Sequence, residues 1–263
     1  MKTPRCWLLR WVGAWALGGW ICASQAQDAY ITMPTVREGQ TIGYWWMPTP
    51  GATATVLLLS GGAGGIGLKD GQPQSRNFLI RSRDLFRAEG FNVALLGNPT
   101  DKRAMDDVWR TSEMHRSDVV QVVQDIRARG ASQPLWLVGT SRGTVSAAAL
   151  AIGLPDQVAG VVLTVSIGNF NVPAAVPKQK IDQLRMPVLV YHHRDDACRL
   201  TLASDAEWIL KGLKNASIKK LWIVEGGENP SGDPCEALHW HGFIGMEARA
   251  VKDIGSWIRQ PIP

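Results

Sequence analysis

Long apolar runs are missing from this chain of 263 residues. A helix needs roughly 20 apolar residues to cross a bilayer, and the run from Trp11 to Cys22 stops well short of that. It follows Lys2, Arg5 and Arg10 and leads into Ala23-Ser24-Gln25-Ala26. A basic start, a short apolar centre and small residues two apart mark a secretory signal peptide, residues 1–26, with cleavage expected after Ala26. An uncleaved anchor is the alternative. Lipid modification of Cys22 is not expected, because the bulky pair Trp20-Ile21 precedes it. The mature chain, residues 27–263, is expected to be secreted or periplasmic, without stable membrane association.

Cysteine is scarce as well. Of four, Cys6 and Cys22 leave with the leader, and Cys198 and Cys235 remain. Two thiols in an oxidising compartment are expected to pair. Clusters of Lys and Arg are absent too: three cations and no acid leave with the leader, so most of the formal charge of +5 goes with it. Without a basic patch, nucleic acid is excluded as a partner. The chain has no internal repeat and no low-complexity tract, and its twelve tryptophans form no sugar-binding pattern. No Gly-Lys-Ser or Gly-Lys-Thr follows the glycine-rich stretch Ser60–Gly65, which speaks against a phosphate-binding loop.

What is present is an alternation of strands and helices. Tyr30 to Val36 and Thr41 to Met47 read as an antiparallel hairpin. Strands are expected at Ala54–Leu59, a continuous aliphatic run of the kind buried on both faces, and at Phe91–Leu96, Leu135–Val138, Val158–Val165, Pro187–His192 and Ile218–Val224. Helices are expected at Arg76–Glu89, Glu113–Arg129, Thr144–Ile152, Leu202–Leu213 and Phe243–Ile258; in the second, Val119, Val122, Val123 and Ile126 recur at helical spacing behind a Ser112 or Thr111 cap. Asn98 to Arg110 reads as a long polar connection, and Gly168 to Met186 leaves room for no more than a small lid. Because parallel strands need crossover helices, this pattern predicts a single α/β domain with a mainly parallel sheet of about eight strands covered on both faces.

Gly139-Thr140-Ser141-Arg142-Gly143 stands where one of these strands turns into a helix. A serine hydroxyl is a weak nucleophile unless it is exposed beside a base, and a sharp strand-to-helix turn lifts it clear of the sheet while flanking glycines make room. With this elbow, the Gly-rich stretch after the first buried strand and the run His241-Gly242-Phe243 near the end, the sequence resembles the α/β-hydrolase family, in particular serine esterases of the dienelactone-hydrolase type.

The resemblance implies a nucleophile, an acid and a base in that order along the chain. They would be Ser141, Asp196 after the strand ending at His192, and His241 before the closing helix. Asp195, one residue out of register, and His239, two residues before His241, are the alternatives. Arg142 N–H and a second amide from the glycine-rich loop, Gly62 or Ala63, would form the oxyanion hole; the Ser60-Gly61 of this chain stands where the family often has His-Gly. A Cys198–Cys235 disulfide would then tie the acid loop to the base loop. Asp101, Arg110, His115 and Asn169 are candidates for lining the pocket. The expected reaction is hydrolysis of a small-molecule carboxylic ester without metal or cofactor. The alternatives are an amidase, thioesterase or acyltransferase with the same triad, a non-catalytic binding protein on this fold, or a metal site made from His192, His193, His239 and His241. N-terminal sequencing of the exported protein should begin at Gln27; a start at Met1 would show a retained anchor.

Overall fold

A strand that is apolar at nearly every position needs cover on both faces, and such strands form the middle of the sheet in the computed structural model, which describes residues 27–263. The expected signal peptide and its expected cleavage point lie outside the described residues. The main sheet contains β1 (Ala29–Pro34), β2 (Thr41–Met47), β3 (Ala54–Leu59), β4 (Phe91–Leu96), β5 (Leu135–Thr140), β6 (Gly160–Thr164), β7 (Val188–His193) and β8 (Lys219–Val224). Their spatial order is β1-β2-β4-β3-β5-β6-β7-β8. Only β2 runs against the others, so the sheet is parallel from β4 to β8 and the opening hairpin is antiparallel.

The period of two along each strand divides the core into two layers. Leu57, Leu137, Val161 and Val190 face Val119, Val122 and Val123 of α4 (Glu113–Ala128) and Ala147, Ala148 and Ala151 of α5 (Gly143–Gly153). Val56, Leu58, Val138 and Leu189 face the other way, towards Phe78 of α1 (Phe78–Arg81), Phe86 of α2 (Arg83–Ala88) and Val251, Ile254 and Trp257 of α7 (Glu247–Arg259). Two shorter helices complete the set, α3 (Asp107–Arg110) and α6 (Ala206–Gly212). Among the described residues no helix is long and apolar enough to cross a membrane.

Three local expectations are corrected. The helix expected over Arg76–Glu89 is two helices, because Ser82, at φ −95° and ψ 7°, leaves the helical path, and the first starts later, with Asn77 Oδ1 capping Leu79 N–H at 3.1 Å. The connection from Asn98 to Arg110 ends in α3, where Asp106 Oδ1 accepts the Trp109 N–H at 2.7 Å; one helical turn is too short to show a period. The closing helix begins at Glu247 rather than Phe243, because Phe243 is left-handed at φ 56° and closes a 3₁₀ turn over Trp240–Gly242.

Asp101 belongs to the frame rather than to a pocket. Its carboxylate takes Arg37 Nε at 2.9 Å, and the same guanidinium reaches the buried Asp118 of α4 through Nη1 and Nη2 at 3.0 and 2.9 Å. The two carboxylates hold the Arg37 guanidinium above its ordinary pKa, Asp118 most strongly. Removing one partner of a buried pair leaves the other charge uncompensated. Arg37→Ala should therefore lower the unfolding free energy by about 2 to 3 kcal/mol in urea titration, and an Arg37→Met/Asp118→Leu double variant should recover most of it.

Candidate active site

β5 ends at Thr140 and α5 begins at Gly143, so the chain must reverse within two residues. Ser141 makes the reversal at φ 53°, a left-handed conformation that costs a residue with a Cβ on the order of 1 kcal/mol. Ser141 N–H donates to Thr164 O at 3.0 Å, and Ser141 O accepts from Thr144 N at 2.9 Å and Thr144 Oγ1 at 2.6 Å. The flanking glycines are sterically required. A Cβ on Gly139 would lie 2.5 Å from Gly143 O, and one on Gly143 would lie 1.9 Å from Leu59 O. On the far side, a Cβ on Gly61 would come within 2.9 Å of the Ser141 Cβ. The serine is thereby presented at the C-terminal edge of the sheet, against the glycine-rich loop.

The chain turns again after β7, and Asp196 N–H closes that turn on His193 O at 3.3 Å. The Asp196 side chain is wholly buried. Its Oδ1 accepts Cys198 N–H at 3.0 Å, and its Oδ2 accepts the Thr201 hydroxyl at 2.8 Å and lies 3.0 Å from His241 Nδ1. Asp195, by contrast, is exposed and leans towards Arg194 at 3.4 Å. His241 sits in the turn after the last loop, where Gly242 is tight enough that a Cβ would fall 1.8 Å from Ala237 O. His239 precedes that turn, and its Nδ1 is buried without a partner among the described residues. Thr201 is a contact that sequence reasoning missed: buried, it bonds Asp196 and stands 3.1 Å from His241 Nδ1, and no motif marks it.

Two further links tie the Asp196 turn to the loop that leads to His241. Cys198 and Cys235 form a disulfide across 37 residues. His193 accepts Asp195 N–H on Nδ1 at 3.1 Å, donates from Nε2 to Gly226 O at 2.8 Å and stacks on Trp240. His192, on the opposite face of β7, accepts Ser166 N–H on Nε2 at 2.7 Å, and burial drives its pKa down to about 4. His192, His193 and His241 are thus spread over separate hydrogen-bonding tasks, and no three His, Cys, Asp or Glu side chains among the described residues converge as a metal site.

Ser141 and His241 share a cleft of about 680 Å³. Its walls are the loop Gly61–Gly64, the segment Ser75–Phe78 before and into α1, Arg142, Leu200, the disulfide and the segment Glu236–Leu238. Arg142 also approaches Asp107, at 3.7 Å. None of the four side chains expected to line the pocket does so. Asp101 is in the ion pair described above, and Asn169 donates to Arg199 O of the loop after β7 and accepts Asn171 N–H within its own loop. Arg110 and His115 are buried behind the glycine-rich loop and meet at Ser146 of α5, with Arg110 Nη1 and His115 Nε2 each 3.1 Å from Ser146 Oγ. Burial, and then the Arg110 charge, push the His115 pKa down to about 3, so its ring is neutral at physiological pH. Polar residues in a connection read as solvated from sequence; here they are turned inward. The segments that do form the wall are short loops without a periodic signal.

No protein-family model matches the chain, and no curated protein matches it in sequence. Solved structures do. A dienelactone hydrolase from Anabaena variabilis is 14% identical with a TM-score of 0.61, covering 90% of this chain and 99% of its own. An esterase from Pyrococcus furiosus is 12% identical with a TM-score of 0.63, over 89% and 91% of the two chains. A serine hydrolase without a lid from Xanthomonas campestris is 14% identical with a TM-score of 0.62, over 91% and 98%. With the strand order described above, they establish that this chain has the α/β-hydrolase fold.

Loop-closure entropy makes a crosslink across a loop of this length worth roughly 2 to 4 kcal/mol. A Cys198→Ser/Cys235→Ser double variant should lose that amount in denaturant titration, and dithiothreitol should shift the wild type the same way while leaving the double variant unchanged.

Proposed function

We propose that this protein is a serine hydrolase that cleaves small carboxylic esters through Ser141, His241 and Asp196. The observation that carries the reading is the left-handed Ser141 sharing one cleft with a His241 whose Nδ1 is engaged by a fully buried carboxylate. With Nδ1–H donated to Asp196, the free imidazole nitrogen is Nε2, which is the tautomer a general base needs. Ser141 Oγ adds to the ester carbonyl as His241 Nε2 takes its proton. The tetrahedral oxyanion accepts the Arg142 N–H and an N–H of the glycine-rich loop, Gly62 or Ala63. Collapse expels the alcohol, protonated by His241, and leaves an acyl-serine that water, deprotonated by the same histidine, then hydrolyses. The buried Asp196 carboxylate holds the ring in place and stabilises its charged form in both halves. Thr201 shares the Asp196–His241 contact and positions the pair.

Export to an oxidising compartment belongs to the same proposal, and the Cys198–Cys235 bond supports it. Ester chemistry is favoured by likeness to proteins named as esterases and a dienelactone hydrolase. Mature wild-type protein should release p-nitrophenol from short-chain acyl esters and take a fluorophosphonate label. A folded Ser141→Ala variant should lose both, and Thr201→Val should lower kcat about tenfold with intact thermal stability. Full activity in Ser141→Ala would overturn the assignment.

A further inference from the structure

An unpaired charge in a protein interior costs several kcal/mol, so a buried cation calls for a physical account. Arg110 is 1% exposed, and its guanidinium is satisfied by neutral acceptors alone. Nε donates to Met105 O at 3.1 Å, Nη1 to Ser146 Oγ at 3.1 Å, and Nη2 to Ser60 O and Gly62 O at 3.2 and 3.3 Å. Asp106 and Asp107 act on it only through space. Burial holds its pKa down to about 10, which leaves it charged at neutral pH.

Two of those acceptors are carbonyls of the loop that faces Ser141. The peptides of the described residues are trans, and in a trans peptide the C=O and N–H point in opposite directions. A guanidinium that holds Gly62 O on the inner side therefore turns the Ala63 N–H to the outer side. Ala63 lines the cleft. The far end of the same residue is also held from behind, because Ala63 O accepts Met105 N–H at 2.9 Å and Asn98 Nδ2 at 3.1 Å. The Gly61–Gly62 peptide is held differently, by Gly64 N–H on Gly61 O at 3.0 Å. Ser146 lies in the helix that follows Ser141, so one hydroxyl links the guanidinium to the helix that carries the elbow.

We propose that Arg110 is the positioning residue of the oxyanion site: it fixes the plane of the Gly62–Ala63 peptide, aims the Ala63 N–H at the carbonyl oxygen beside Ser141, and polarises that N–H with its charge. The inference rests on the serine-hydrolase reading and sharpens it, since it selects Ala63 over Gly62 as the second donor. A preorganised donor acts mainly on the charge that develops in the transition state. The effect of Arg110 should therefore fall on kcat and leave ground-state binding nearly alone.

Arg110→Lys keeps a positive charge but replaces a planar fork with a point donor that cannot hold both carbonyls and Ser146. Ser146→Ala keeps the guanidinium and removes one anchor. With p-nitrophenyl esters, kcat should fall tenfold to a hundredfold in Arg110→Lys and severalfold in Ser146→Ala, with KM changed by no more than about twofold. Affinity for an alkyl boronic acid, whose serine adduct places an oxygen in the same hole, should fall in step with kcat/KM. Circular dichroism and thermal melting establish that each variant is folded. An undiminished kcat in folded Arg110→Lys, a loss carried by KM, or a boronic-acid affinity that does not follow kcat/KM would overturn the role. If Arg110→Lys does not fold, Ser146→Ala decides, and an undiminished kcat there overturns it. Ser141→Ala separates the two levels. Activity in that variant sinks the hydrolase reading itself, whereas an inactive Ser141→Ala beside an unimpaired Arg110→Lys sinks only the part assigned to Arg110.

Discussion

The approach of α5 to β3 at Gly143 is the constraint on which the rest of the site depends. A single methyl group there would lie 1.9 Å from Leu59 O, so the helix can lie this close to the sheet only with glycine at that position. That closeness forces the two-residue reversal that puts Ser141 into the left-handed region. It also sets the glycine-rich loop, which continues β3 directly, against the elbow, with Gly61 in contact with Ser141. Atomic size, before any charge, therefore brings the proposed nucleophile and the proposed oxyanion donors together.

Around this contact the polar groups are buried in hydrogen-bonded sets, in which His115 Nδ1 is the one buried side-chain atom that lacks a partner among the described residues. Asp196, Thr201 and His241 form one set, and Arg110, Ser146 and His115 form another. Low local dielectric strengthens hydrogen bonds inside such sets and penalises any member left without a partner, which makes them rigid. The loops that carry the first set are joined by a disulfide and by the His193 ring, which binds the acid turn through one nitrogen and the base loop through the other. The second set lies under the glycine-rich loop. Side chains on both sides of the cleft are thus held from behind, and the cleft itself is left open to a small molecule.

Much of the fold was legible because its signals are local. Runs of strand-forming residues marked the strands, with Thr41–Met47, Ala54–Leu59 and Phe91–Leu96 matching to the residue. Valines at helical spacing and Ser112 marked α4, whose cap is the Ser112 hydroxyl accepting His115 N–H at 3.2 Å. Elements of a single turn, such as α3, carry no such period and were not legible. The break at Ser82 and the late start of α7 depend on single backbone angles that residue type alone does not dictate.

For the site, the sequence by itself determined which residue types occur in which order at the C-terminal ends of the strands: a serine between two glycines, an aspartate after β7 and a histidine before the closing helix. It also left Cys198 and Cys235 as a pair to be joined. Only the tertiary structure shows that Asp196 is buried against His241 while Asp195 is exposed and His239 Nδ1 is left without a partner among the described residues, because neighbouring loop residues differ in direction and burial rather than in chemistry. Only the tertiary structure, likewise, turned Arg110 and His115 inward, away from the pocket they were expected to line, and supplied Thr201. The contacts that fix them span 31 to 50 residues, from His115 to Ser146 and from Arg110 to Ser60, and 40 from Thr201 to His241; contacts at such separations are set by how sheet and helices pack, not by any pattern that a local stretch can carry.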